Sequence, residues 1–167
     1  MRIYIIGSVG SGNTTLAKML AKKVAIPRFE TDQFVWMRQE SGDIRKSEAV
    51  RDAEFKKAIN LPEWVIEGVH IHWTDEGLAA VELILFLDVP PKVRLRRIIK
   101  RFIGQKIGTE EANYKPTVQI FRKMFGWNRY FEKQMKLVFM QKLIPYSEKT
   151  KIISTQGDLN KILEEIK

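Results

Sequence analysis

The chain has 167 residues, no cysteine, two histidines, and 29 lysines and arginines against 20 acidic residues, for a formal net charge of +9. That length suits one domain able to bury an ordinary core. The composition excludes a disulfide framework and a thiolate metal site, and two histidines are too few for zinc without carboxylate help. No apolar run approaches the roughly 20 residues of a membrane span, and no signal-peptide pattern precedes the first strand. A soluble, cytoplasmic protein is expected. The positive balance favours polyanionic partners, nucleotides or nucleic acid, although lysines that merely solvate helix faces account for it equally well.

The first element is a short apolar strand, Ile3–Ile6, which leads into Gly7-Ser8-Val9-Gly10-Ser11-Gly12-Asn13-Thr14-Thr15. Strand, glycine-rich loop and helix in that order are the context of a phosphate-binding P-loop. Gly7, Gly12 and Thr14 fit the spacing G-x-x-x-x-G-K-[ST], but the lysine position holds Asn13. Glycines let the backbone wrap a phosphate closely, and several are expected at positive φ. Successive N–H groups and the helix N-terminus then attract the anion. Thr14 stands where a hydroxyl ligates Mg²⁺. The loop is expected to bind anions and to be defective in transferring them.

A helix follows, with Leu16, Met19, Leu20 and Val24 on its apolar face, until Pro27 stops it. Arg28-Phe29-Glu30 reads as a short strand ending at Thr31-Asp32. Residues 38–46 read as a loop. Ser47 caps a helix to about Asn60 that buries Phe55, Ala58 and Ile59, and Leu61-Pro62 breaks it. Trp64–Ile66 is a strand, followed by Glu67-Gly68. Leu83–Leu87 is apolar on both faces, as central strands of parallel sheets are, and ends at Asp88. Pro90-Pro91 opens a helix on which Arg94, Arg97 and Arg101 share one stripe. Gly104–Pro116 reads as a mobile segment. Thr117 to about Leu143 is a long helical pattern through Ile120, Met124, Trp127, Phe131 and Val138, with a kink expected at Gly126. Lys151–Ile153 is a last strand, and Thr155–Asp158 turns into a C-terminal helix.

Strands alternating with helices imply a parallel α/β sheet covered on both faces. Ligands of such sheets sit at the carboxyl ends of the strands. That rule gathers the glycine loop, Asp32, Glu67, Asp88 and the 155–158 turn on one edge. Phosphoryl transfer requires a phosphate cradle, a metal, a carboxylate near the acceptor and movable cations. Thr14 and Glu67 are the candidate metal-side pair, and Asp32 is the candidate acceptor-side carboxylate. Arginine suits phosphate oxygens because its planar fork stays charged. Arg94, Arg97 and Arg101 therefore face either phosphates or solvent, the solvated face weighing more for Arg94 than for the other two. Arg45 meets an acceptor anion or none, His70 is a loop residue or a substrate contact, and Trp36 stacks on a base or fills a rim.

The stretches Ile3–Gly12, Asp32–Trp36, Gly42–Ser47, Trp64–His70 and Phe86–Pro90 resemble the P-loop kinases related to adenylate kinase. More narrowly, they resemble the bacterial group labelled DNA topology modulation protein. The resemblance implies a three-layer fold with a five-stranded parallel sheet in the order 2-3-1-4-5 and a short helical lid at about residues 102–116. It implies ATP and Mg²⁺, transfer of the γ-phosphate to a nucleoside or nucleotide, and Arg97 and Arg101 as the arginine pair that opens the lid. Glu67-Gly68 stands where that family has Asp-Gly, and Gln156 and Gly157 stand in its adenine loop. With Asn13 in place of lysine, activity is expected to be impaired. The group's label and the basic, aromatic 117–142 helix suggest nucleic-acid binding as the alternative, and a non-catalytic nucleotide scaffold is a third.

Overall fold

The computed structural model describes residues 1–39, 42–109 and 117–166. Its strands are β1 (Arg2–Gly7), β2 (Arg28–Glu30), β3 (Trp36–Met37), β4 (Ile44–Arg45), β5 (Trp64–Glu67), β6 (Leu83–Leu87) and β7 (Thr150–Ile153). Five of them form a parallel sheet in the order β2-β5-β1-β6-β7, which is 2-3-1-4-5 among the sheet's own strands. The helices are α1 (Asn13–Val24), α2 (Thr31–Val35), α3 (Glu48–Ile59), α4 (Asp75–Ala80), α5 (Pro91–Lys106), α6 (Val118–Tyr130), α7 (Lys136–Lys142) and α8 (Gln156–Glu165). Among the described residues no helix is long and apolar enough to cross a membrane.

The strands are apolar on both faces because both faces are covered. Ile3, Ile5, Val65, Leu85 and Leu87 point to the side packed by Leu16, Ala17 and Leu20 of α1 and Ile162 of α8. Tyr4, Ile6, Trp64, Ile66, Ile84 and Phe86 point to the other side, against Phe55 and Ile59 of α3, Leu78 of α4, and Phe131 and Phe139. Parallel alignment brings the ends of β1, β2, β5 and β6 to one edge, where loops can converge.

Four expectations are corrected. Thr31 and Asp32 do not end a strand but begin α2, because Glu30 and Gln33 form a reciprocal capping box there. Residues 38–46 are not wholly loop: Trp36 and Met37 pair antiparallel with Arg45 and Ile44. The helix carrying the arginines does not yield to irregular chain at Gly104 but runs through Lys106. The rest of that expected mobile segment, residues 110–116, lies outside the described residues. Gly126 sits inside α6, and the irregularity falls instead at a π turn over Phe131–Met135. A π turn holds an extra residue and rotates everything after it. Phe139 is consequently buried where a regular helix would bury Val138, which is 41% exposed.

Candidate functional site

The glycine loop begins where β1 ends. Gly10 and Gly12 have φ of +79° and +106°, left-handed conformations that side chains resist. Gly10 also lies against α5: a Cβ there would stand 2.8 Å from the Arg94 carbonyl oxygen and 3.0 Å from Ile98. Ser11 N–H donates to the Ser8 carbonyl at 3.0 Å, closing the turn. Val9 lies within that turn, and Thr15 is exposed in the first turn of α1. The Ser8 hydroxyl is buried without a partner among the described residues, as expected of a cradle that awaits an acceptor for its donors.

Asn13 turns back into the loop. Its Nδ2 donates to the Gly7 carbonyl at 2.6 Å, and its Oδ1 accepts from the Ser11 hydroxyl at 2.8 Å. A cation from outside the loop reaches it: Arg97 Nη1 donates to the Ser11 carbonyl at 2.8 Å. The other two arginines of the stripe go elsewhere. Arg101 Nη2 lies 3.6 Å from the Met124 sulfur. Arg94 touches the loop only through its carbonyl at Gly10; its side chain is 1% exposed, pairs with Glu132 and lies over the Phe131 ring at 5.4 Å. Asp88, at the end of β6, pairs with Lys136 at 2.6 Å.

Thr14 Oγ1 donates to Glu67 Oε2 at 3.2 Å, so the start of α1 and the end of β5 meet. Glu67 is buried, and burial pushes its carboxyl up to about 7, further aided by the Glu30 carboxylate. The Thr14 hydrogen bond and the Arg28 guanidinium oppose that rise. Arg28 Nη1 reaches both Glu30 at 2.6 Å and Glu67 at 3.2 Å. The sequence reading did not single out Arg28. Its signal is the two-residue spacing to Glu30, which pairs with Glu67 across the sheet and puts all three groups on one face. Glu67 takes up its proton more readily folded than unfolded, so stability is expected to fall as pH rises from about 5 to 7. Glu67→Gln should flatten that slope in denaturant melts at several pH values. An unchanged slope would mean that Glu67 does not titrate there.

On the other side of the site, His70 Nε2 lies 3.0 Å from Asp32 Oδ1. This hydrogen bond, with the charges of His70 and Arg38, holds the Asp32 carboxyl below the usual range. Gly68 makes the approach feasible, because a Cβ there would fall 1.7 Å from the Thr31 hydroxyl. His70 also packs 5.3 Å from Trp73, which meets Phe55 edge-on at 5.1 Å. Trp36 and Arg45 stand opposite each other on the β3–β4 ribbon, Trp36 half-buried and Arg45 exposed. Gln156 and Gly157 open α8, where Gln156 Nε2 bonds Asn160 at 3.0 Å. No described contact ties Gln156 or Gly157 to the glycine loop.

The donor set has the chemistry of a Mg²⁺–phosphate site. Thr14 and Glu67 offer a hydroxyl and a carboxylate beside a nest of N–H groups, and Mg²⁺ ordinarily completes its shell with water and phosphate oxygens. No cluster of three or more acidic, histidine or cysteine side chains able to hold a metal occurs among the described residues. A metal held here would therefore depend on its anion.

No family model matches the chain. An uncharacterized protein of Bacillus subtilis strain 168, YqaC, is 29% identical over 108 residues, covering 65% of this chain and 60% of that protein. The chain thus matches less than two thirds of that relative's length. A shikimate kinase from Aquifex aeolicus is 19% identical with a TM-score of 0.52, over 99% of this chain and 94% of that one. A shikimate kinase from Bacteroides thetaiotaomicron is 16% identical with a TM-score of 0.51, covering 99% and 96%. An uncharacterized protein from Eubacterium ventriosum is 17% identical with a TM-score of 0.54, covering 99% and 98%. Identities this low speak for architecture alone. The chain has the P-loop kinase fold in its shikimate-kinase-like form.

Proposed function

We propose that the chain is a single-domain P-loop kinase, cytoplasmic and related to adenylate kinase through the DNA topology modulation group. In this reading it moves the γ-phosphoryl group of ATP to a hydroxyl of a small acceptor, a nucleoside or nucleotide. Turnover is limited by Asn13. The observation that carries the reading is the Thr14–Glu67 contact of 3.2 Å beside a left-handed glycine loop, with the Asp32–His70 pair on the same sheet edge.

When bound, Mg²⁺·ATP would supply the phosphoryl group, the acceptor oxygen bonding the γ-phosphorus as the bond to the bridging oxygen breaks and ADP leaves. The N–H groups of residues 8–14 hold phosphate, with the Ser8 hydroxyl as a further donor. Thr14 and Glu67 would hold the metal side. Arg97 brings positive charge to the loop's rim, and Arg101, one turn further along α5, would have to leave the Met124 sulfur to join it. Asp32, oriented by His70, receives the acceptor's proton. Gln156 and Gly157 serve the adenine side, and Trp36 and Arg45 serve the acceptor.

One observation favours nucleic acid as a second partner. Trp127 and Tyr130 are each 51% exposed on α6, beside the exposed Arg122, Lys123, Arg129 and Lys133, a combination suited to base stacking and phosphate contact. A thermal-shift screen tests both readings. ATP with Mg²⁺ at 100 times its Kd should stabilise the chain by about 2.7 kcal/mol, and ATP without Mg²⁺ by less. Stabilisation by single-stranded oligonucleotide that persists at raised salt, with none by ATP, would favour nucleic acid instead.

A further inference from the structure

Asn128 is the odd residue of α6. Asparagine is a poor helix former, yet here it lies within the helix, 4% exposed, its Oδ1 without a partner among the described residues. A buried amide oxygen that accepts no hydrogen bond costs stability, and leucine in its place would serve the packing of α6 on α5 better. The fold alone gives no reason for the amide.

Asn128 borders a cavity of about 260 Å³ between α5 and α6. Pro91 and Leu95, four apart on α5, and Phe125 of α6 give it half-buried apolar walls. Arg129 and Lys133 stand at its rim, exposed and in no ion pair among the described residues. Glu132 also lines it, but that carboxylate is committed to Arg94 and lies 3.8 Å from Lys136. The charge left over is therefore positive. Glu132 and Lys133 belong to the π turn, a local insertion frequent at functional sites. The glycine loop meets α5 along a neighbouring row, at Arg94 and Ile98, and neither that loop nor Thr14, Glu67, Asp32 or Arg97 lines the cavity.

We propose that this cavity is a second small-molecule site, apart from the glycine loop, for a single-ring anion that carries an N–H or O–H donor at its buried end. The donor satisfies Asn128 Oδ1, the ring lies against Phe125 and Leu95, and the anionic arm meets Arg129 and Lys133. A cationic ligand would face those two side chains with only a neutralised Glu132 in its favour. The volume is below the roughly 300–1,000 Å³ of drug-sized sites, which suits one ring with one short arm. Carboxylate and phosphate arms share this chemistry. The proposal does not depend on the phosphotransferase reading, and its test needs no nucleotide.

The test is titration of the whole chain, followed by calorimetry and by the NMR signal of the Asn128 side-chain amide. The probes are 4-hydroxyphenylacetate, phenylacetate (no donor), 2-(4-hydroxyphenyl)ethanol (no charge) and 4-hydroxybenzylphosphonate. 4-Hydroxyphenylacetate or the phosphonate should bind roughly 10-fold or more tightly than the other two and move the Asn128 signal, the tighter of the pair identifying the anionic arm. Asn128→Leu should bring 4-hydroxyphenylacetate to the level of phenylacetate without lowering the urea midpoint, because it removes an unsatisfied buried group. Arg129→Gln with Lys133→Gln should bring it to the level of the uncharged probe. Loss of those two cations would weaken an oligonucleotide as well, but nucleic-acid binding does not predict the preference for the hydroxyl or its loss in Asn128→Leu. No binding, equal affinity for all four probes, or an unmoved Asn128 signal overturns the proposal. So does a lowered midpoint in Asn128→Leu, which would show that the amide serves the fold.

Discussion

Replacing Asn13 with lysine is expected to raise ADP release by roughly 100-fold or more. A lysine in this position sets a mobile cation against the β- and γ-phosphates, where negative charge shifts as the bond breaks. Asparagine is neutral and shorter, and its polar atoms are already committed. Nδ2 donates to the Gly7 carbonyl and Oδ1 accepts from Ser11, so reaching a phosphate would break two contacts within the loop. Loss of one preorganised neutral donor commonly costs about 10²–10³ in rate, and loss of a cation should cost no less. Lys18 is exposed a turn further along α1 and does not replace it. Arg97 is closer, but its guanidinium is anchored to the Ser11 carbonyl at the loop's rim. The measurement is ADP release by the two proteins side by side across nucleoside and nucleotide acceptors. Equal turnover would refute the account of the loop's chemistry. Tight nucleotide binding with no turnover in either protein would identify a nucleotide-binding scaffold.

The sheet was legible because its strands are short apolar runs that read the same on both faces. Leu83–Leu87 is the clearest, and its observed bounds are those the sequence predicts. The glycine loop was legible because one local spacing fixes it. What was not legible depends on partners distant in the chain. Asp32 and His70 are 38 residues apart, and Gly68's lack of a side chain lets the chain before His70 pass against Thr31 at the start of α2. Arg28 sits in a three-residue strand whose charged ends look solvated until β5 lies beside it with Glu67. Residues 38–46 read as loop because their composition is polar, yet the cross-strand pairing of Trp36 and Arg45 needs no apolar face. The burial of Phe139 in place of Val138 was hidden for another reason: apolar spacing does not announce a π turn.

Arg94 is the clearest case of a long-range partner, and it yields the largest expected effect on stability. By spacing it belongs with Arg97 and Arg101, but the backbone of the glycine loop packs against its own turn of α5 at Gly10. Its side chain runs inward instead and ends 1% exposed, paired with Glu132 in the π turn and lying over Phe131. Glu132 is only half-buried and also lies 3.8 Å from Lys136. Removing the acid is therefore the informative change, because it leaves a guanidinium in the interior whose Nε already lacks a partner among the described residues. Arginine cannot discharge to relieve that cost. Breaking a buried pair from one side typically costs about 3–5 kcal/mol, so Glu132→Ala is expected to lose at least about 3 kcal/mol in urea unfolding. Glu132→Gln, which still accepts a hydrogen bond, should lose roughly half as much. Since Arg94 shares its turn with the Gly10 contact, the alanine variant should also weaken nucleotide binding well below its unfolding midpoint. A loss under about 0.5 kcal/mol, the range of ordinary surface substitutions, would show that the Arg94–Glu132 pair does not hold α5 against the π turn.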